Sequence, residues 1–175
     1  MAEHKGRTGG PSGRDFALSR VFQAPRHLVY RAWVEPECLK QWWGPKGFEM
    51  HSCTFDLRPG GKFHYGMRLP SGQEMWGTLL FREIVPPERL VFVASFSDRR
   101  GGITRHPMSQ EWPLEVLSTV TFSQEKGKTT LTMSARPIEA TDPERKAFES
   151  GFESMRTGWA GSLTQLEEYL TRGGA

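Results

Sequence analysis

Seven apolar residues near the C-terminus, Phe148, Phe152, Met155, Trp159, Leu163, Leu166 and Leu170, follow one another at intervals of 4, 3, 4, 4, 3 and 4. That spacing lines them up along one stripe of an α-helix. The flanks agree. Asp142 suits an N-cap, Pro143 the first helical position and Glu144 the positive end of the helix dipole, while Gly173 and Gly174 lie beyond the last turn. A helix from Pro143 to Leu170 would span roughly 40 Å at about 1.5 Å per residue. Such a stripe needs an apolar surface as wide as a whole sheet, and the rest of the chain has to provide one. Gly151, Gly158 and Gly161 fall inside the same helix, each costing up to about 1 kcal/mol relative to alanine. Either they let the helix backbone approach strands closely, or they leave space unfilled, and large rings opposite them would then wall a cavity.

The preceding sequence supplies a sheet. "DFALSRVF", residues 15–22, has strand composition and no helical period. "PRHLVYRAWV" opens on Pro25 at the first helical position and pairs Val29 with Trp33 and Tyr30 with Val34, which predicts a short helix ended by Pro36. Pro36 opens a second one, "PECLKQWW", stopped by Gly44 and Pro45. From Phe48 the period becomes two: after a turn at Pro59-Gly60-Gly61, the residues Phe63, Tyr65, Met67 and Leu69 share one face. Then come "EMWGTLLFREIV", a break at Pro86-Pro87, "RLVFVASFS", a loop from Asp98 to Pro113, and the runs "LEVLSTVTFSQ" and "KTTLTMSARP" joined by a turn at Gly127. The expectation is an α+β fold of about seven antiparallel strands with a long C-terminal helix packed over them. Residues 1–14 read as a flexible tail and 15–172 as one domain, the usual number for 175 residues.

Charge and cysteine usage exclude several function classes. Of the net charge of +3, Lys5, Arg7 and Arg14 against Glu3 place +2 in the tail, so the folded part has no basic stripe for nucleic acid. The basic loop "DRRGGITRH" reads as solvated. No apolar run is long enough to span a membrane and the N-terminus has no secretory core, so the expectation is a cytoplasmic chain without membrane insertion. Cys38 and Cys53 then read as reduced thiols in or near the core. His51 and Cys53 share strand parity and His27 and His64 stand elsewhere, but no spacing characteristic of a metal site or cofactor motif appears.

Two tryptophans stand side by side in "LKQWWGPKGF", where a helix ends. By helical parity with Cys38, Trp42 is expected to pack beneath the short helices and Trp43 to reach toward a cavity. Together with "DLRPGGKF", "GTLLFREIVPPERLVF" and "SMRTGWAGSLTQLEEYL", this motif resembles the helix-grip fold of the START-like and birch-pollen-allergen-like superfamily. Within it, the motif set resembles the branch related to activators of the heat-shock protein 90 ATPase, over about residues 15–171. The resemblance implies a curved antiparallel sheet gripping the long helix, two short helices, and a cavity in which superfamily members carry lipids, sterols or other apolar molecules or cyclise polyketides.

Candidate lining residues are Trp33, Trp43, Phe48, Phe63, Tyr65, Met67, Trp76, Phe152, Met155 and Trp159. The Tyr65 hydroxyl and the indole N–H groups of Trp33, Trp76 and Trp159 would be available to orient a ligand. The same rings would equally fill the core of a sheet closing on one helix. Acid–base candidates on strands are Arg20, His64, Arg68, Glu74 and Glu83, with His64 and Arg68 expected to face outward. No catalytic residue is assigned. The leading expectation is binding of a small apolar or aromatic ligand. A chaperone-cofactor-like module with a heat-shock chaperone as partner is the second, and a small cyclase- or hydrolase-type enzyme the third. The protein is expected as a monomer or homodimer without cofactor.

Overall fold

A computed structural model of the chain describes residues 13–173. Of the expected tail, residues 1–12 lie outside the described residues; the backbone N–H of Arg14 donates to Glu149 at 2.9 Å. The elements run β1 (Phe16–Phe22), α1 (Arg26–Val34), α2 (Pro36–Trp42), β2 (Glu49–Phe55), β3 (Lys62–Arg68), β4 (Glu74–Val85), β5 (Arg89–Ser97), β6 (Val116–Glu125), β7 (Lys128–Pro137), α3 (Asp142–Ser150) and α4 (Phe152–Thr171). All seven strands join one antiparallel sheet in the order β1-β7-β6-β5-β4-β3-β2. The first two strands are therefore its opposite edges, and α1 and α2 carry the chain from one edge to the other. Pro25 caps α1 and does not enter it. Pro36 occupies the first turn of α2 as expected.

Two bulges bend the sheet and change which side chains face inward. In β4 the register shifts between Phe81 and Glu83, so that Leu79 and Phe81 face the core before it and Ile84 after it. In β2 the shift falls between Met50 and Ser52. The extra residue, His51, turns to the outer face against Trp76, with ring centroids 5.2 Å apart. Cys53 stays on the core side. The shared parity expected of His51 and Cys53 is thus broken by one inserted residue.

The C-terminal stripe lies on the sheet, but on two helices, not one. Gly151 separates α3 from α4 with φ −86° and ψ −1°. A Cβ there would stand 2.8 Å from the ring of Trp112, which presses against the helix at this point. The N-cap is Thr141, not Asp142. Its hydroxyl accepts from the Glu144 N–H at 3.3 Å, and the Glu144 carboxylate accepts from the Thr141 N–H at 2.8 Å, a reciprocal capping box.

The other two helix glycines do not do what the sequence suggested. Gly158 and Gly161 are exposed, with no atom within 4 Å of a built Cβ, so neither brings the helix near the sheet nor hollows its inner side. Each leaves helix propensity unused. Gly158→Ala and Gly161→Ala are each expected to stabilise the protein by about 0.5–1 kcal/mol, seen in thermal unfolding as a rise of roughly 2–4 °C per kcal/mol. A fall in melting temperature would show a contact at these positions.

The core has two parts. The larger cluster joins α1, α2 and α4 to the sheet through Trp33, Trp42, Trp43, Phe63, Phe81, Phe92, Phe122, Leu163 and Leu166. A smaller one, Phe16, Val116, Ala135 and Phe148, packs beneath α3 with Phe152, Met155 and Trp112 at its border.

Candidate ligand-binding site

Between the two clusters lies a cavity of about 230 Å³. Its walls show why it is there. On the inner face of the middle strands, Ser118 of β6 pairs with Ala135 of β7 and with Phe92 of β5, while Ala94 of β5 pairs with Val116. Ala94, Ser118 and Ala135 are too short to reach α4, so the helix rests on the larger side chains to either side. Met155 and Trp159 of α4 line the space opposite the strands, with Trp43 and Tyr65 toward the larger cluster and Phe148 and Trp112 toward the smaller one. The missing volume thus comes from small residues on strands, not from the helix glycines.

Four of the ten expected lining residues, Trp43, Tyr65, Met155 and Trp159, border this cavity. Trp33 and Phe63 stand one layer behind: Trp33 stacks on Trp159 at 6.0 Å and 14°, and Phe63 lies 4.9 Å from Tyr65. Met67 is buried beneath Gly44, Phe48 packs against the larger cluster, and Phe152 meets Phe16 and Phe148 in the smaller one. Trp76 is on the wrong face. It pairs with Gly66 across β3, so it points away from the cavity, donates its indole N–H to Glu74 at 3.2 Å and stacks on His64. Sequence reasoning missed the walls from β5 to β7 and the loop residues Trp112 and Pro113. A tryptophan in an otherwise polar loop was the available signal.

The doubled tryptophans divide as expected. Trp42 is 1% exposed and donates its indole N–H to the Ala32 carbonyl at 3.0 Å, sealing α1 against α2. Trp43 caps α2 and turns edge-on to Trp159, Tyr65 and Phe63 at 5.6, 5.7 and 5.6 Å, the preferred aromatic geometry. Gly44 at φ +92° reverses the chain, and Gln165 of α4 donates to its carbonyl at 2.6 Å. The bend is thereby fastened to the helix that roofs the cavity.

Among the described residues, Tyr65 is the only lining side chain that ordinarily titrates. Its ring covers Gly77 across the β3–β4 pair; a Cβ there would fall 2.5 Å from the phenol oxygen. Burial pushes the phenol above its ordinary value, opposed in part by the Trp43 indole N–H, so it remains a neutral donor and acceptor at pH 7. None of the acid–base candidates borders the cavity. His64 sits on the outer face with Nε2 3.2 Å from the Asp98 carbonyl, and Arg68 is exposed there. The Arg99 guanidinium holds Glu74 below the usual carboxylate range, Glu83 pairs with Arg89, and Arg20 reaches Glu167 and Thr164 of α4. Among the described residues, no three His, Cys, Asp or Glu side chains converge as a metal site requires. No described helix is long and apolar enough to cross a membrane.

The loop that carries Trp112 is anchored. Arg105 donates to the Trp112 carbonyl at 3.3 Å and pairs with the buried Glu144 of α3. That guanidinium and the Thr141 N–H hold the Glu144 carboxyl below its ordinary range.

Solved structures share this architecture. A Nitrosomonas europaea protein is 29% identical with a TM-score of 0.70, over 91% of this chain and 95% of that one. A Chromobacterium violaceum protein is 26% identical with a TM-score of 0.67, over 89% and 96%. The AHSA1 protein of Silicibacter pomeroyi, 20% identical with a TM-score of 0.64 over 91% and 99%, shares the fold. No functionally curated protein matches in sequence. The family described as activator of Hsp90 ATPase homolog 1-like protein matches residues 23–171, everything from the end of β1 to the end of α4, and the chain belongs to that family.

Proposed function

We propose that the protein binds a small apolar or aromatic molecule in the cavity between its sheet and α4, holding it by burial without bond chemistry. The observation that carries this reading is the cavity of about 230 Å³ walled by Trp43, Trp159, Phe92 and Met133, with Tyr65 and Ser118 as polar points. Engineered apolar cavities of about 150 Å³ stay dry and take up benzene, so this space suits one or two fused rings or a short branched chain. Burying about 200 Å² of apolar ligand surface at ~25 cal/mol per Å² contributes about 5 kcal/mol, which sets an expected Kd near 10⁻⁴ M.

Because Trp43 and Trp159 border the space, a titration with naphthalene and 1-naphthol should quench tryptophan fluorescence saturably. Absence of saturation by either up to its solubility limit counts decisively against this reading. A cyclase- or hydrolase-type activity at this site would have to work through Tyr65.

The family description supports a second reading, a module that modulates the ATPase of a heat-shock protein 90 chaperone. The chaperone's ATP turnover, measured with and without this protein, tests it. Unchanged turnover together with no association at tens of micromolar removes it.

A further inference from the structure

Behind the far wall of the cavity a second space opens to solvent, a groove of about 550 Å³ between the loop before β6 and the junction of α3 with α4. Phe96, Trp112 and Met155 face both spaces. They form a partition one side chain thick, in which the Trp112 ring packs directly on the helix backbone at Gly151. The two spaces differ in chemistry. The cavity is almost wholly apolar, whereas the groove adds His106, Ser109, Ser150 and Ser154.

His106 is a prepared donor. Its Nδ1 accepts from the Met108 backbone N–H at 2.9 Å, which places the ring proton on Nε2. Phe96 packs on the ring at 4.5 Å and Trp112 at 6.0 Å. Burial lowers its affinity for a second proton, so it stays neutral at pH 7. Among the described residues, Nε2–H makes no hydrogen bond.

We propose that cavity and groove are two halves of one site for an amphiphilic ligand: an apolar ring system enters past Trp112, and an acceptor head, a carboxylate or carbonyl, remains in the groove on the Nε2–H of His106. This rests on the cavity being a binding site, and it specifies the polarity and orientation of what binds there. A head carrying only donors meets the wrong side of His106.

The test compares 4-(2-naphthyl)butanoate with 4-(2-naphthyl)butylammonium, with naphthalene as a probe that lacks a head, followed by naphthyl fluorescence. The carboxylate should bind roughly tenfold more tightly than the ammonium compound. His106→Asn keeps an acceptor for the Met108 N–H and removes the distal donor, so it should bring the two affinities together. His106→Gln retains a distal amide donor and should restore most of the preference. Trp112→Ala should speed association of both compounds roughly tenfold or more, since it removes the partition. Equal binding of the two compounds by the unaltered protein, or a preference that survives His106→Asn, overturns the placement of the head while leaving the cavity reading intact. Unchanged association rates in Trp112→Ala overturn the route. If naphthalene also fails to bind, the cavity reading itself is lost, and this inference with it.

Discussion

Ala94→Phe is expected to abolish binding of naphthalene-sized ligands while leaving the protein folded. Ala94 faces inward on β5, pairs with Leu79 and Val116, and borders the cavity. A phenylalanine there directs its ring into a space of about 230 Å³, and a cavity of about 150 Å³ already accepts benzene. The ring should therefore be accommodated, with burial worth about 1.5–3 kcal/mol set against any overpacking of about 1–3 kcal/mol. Melting temperature should hold or rise, and affinity should fall roughly a hundredfold or more because ligand and side chain compete for one volume. A variant that melts far below the parent would show that the space is closed in solution. A stable variant with undiminished affinity would move the ligand elsewhere.

Much of this architecture can be read along the chain, and the parts that cannot are instructive. The stripe from Phe148 to Leu170 demanded a sheet, and all seven residues lie on its covered side. Periodicity is a local property, so it survives the journey from sequence to fold. It does not reach across strands: the expectation puts Trp76 and Tyr65 in one wall, yet in the unbroken β3–β4 register they sit in adjacent positions of the ladder, each over the glycine opposite it, and so face opposite ways. Within one strand it fails where a residue is inserted: His51 departs from Cys53 because a bulge is invisible to a count by twos. The cavity itself is a non-local property. It depends on Ala94, Ser118 and Ala135 meeting across three strands, a coincidence of register that no single segment reports. The helix glycines gave a signal of the right kind in the wrong place. At Gly158 and Gly161 they face solvent, and only Gly151 serves a contact, with a loop tryptophan and not a strand. The bend at Gly44 was more legible because two neighbouring aromatics cannot share a helical face, so their separation was forced before their partners were known.

That separation predicts opposite behaviour for the two adjacent tryptophans. Trp42→Ala removes a side chain 1% exposed, enclosed by Trp33 at 5.0 Å and Trp43 at 5.5 Å, and leaves the Ala32 carbonyl without its donor. The expected cost is about 3–5 kcal/mol, with a further ~1 kcal/mol or more for the unpaired carbonyl. Against a typical total of about 5–15 kcal/mol this leaves the fold marginal. Trp43→Ala removes a ring that meets Trp33, Trp42, Phe63, Tyr65 and Trp159 but also faces the cavity. Its expected cost lies at the lower end of the same range, about 3 kcal/mol, without an unpaired carbonyl, and it enlarges the cavity toward α2. Ligand discriminates between the two. At 100 times its Kd a ligand adds about 2.7 kcal/mol to any state able to hold it, so a three-ring aromatic should restore the Trp43→Ala variant to near the parent's melting temperature. No ligand should rescue Trp42→Ala, because the hole it leaves lies behind Trp43 and is sealed by α1. Equal losses in the two variants, or rescue of both by one ligand, would show that the paired tryptophans share a single role, and would remove Trp43 from the wall of the site.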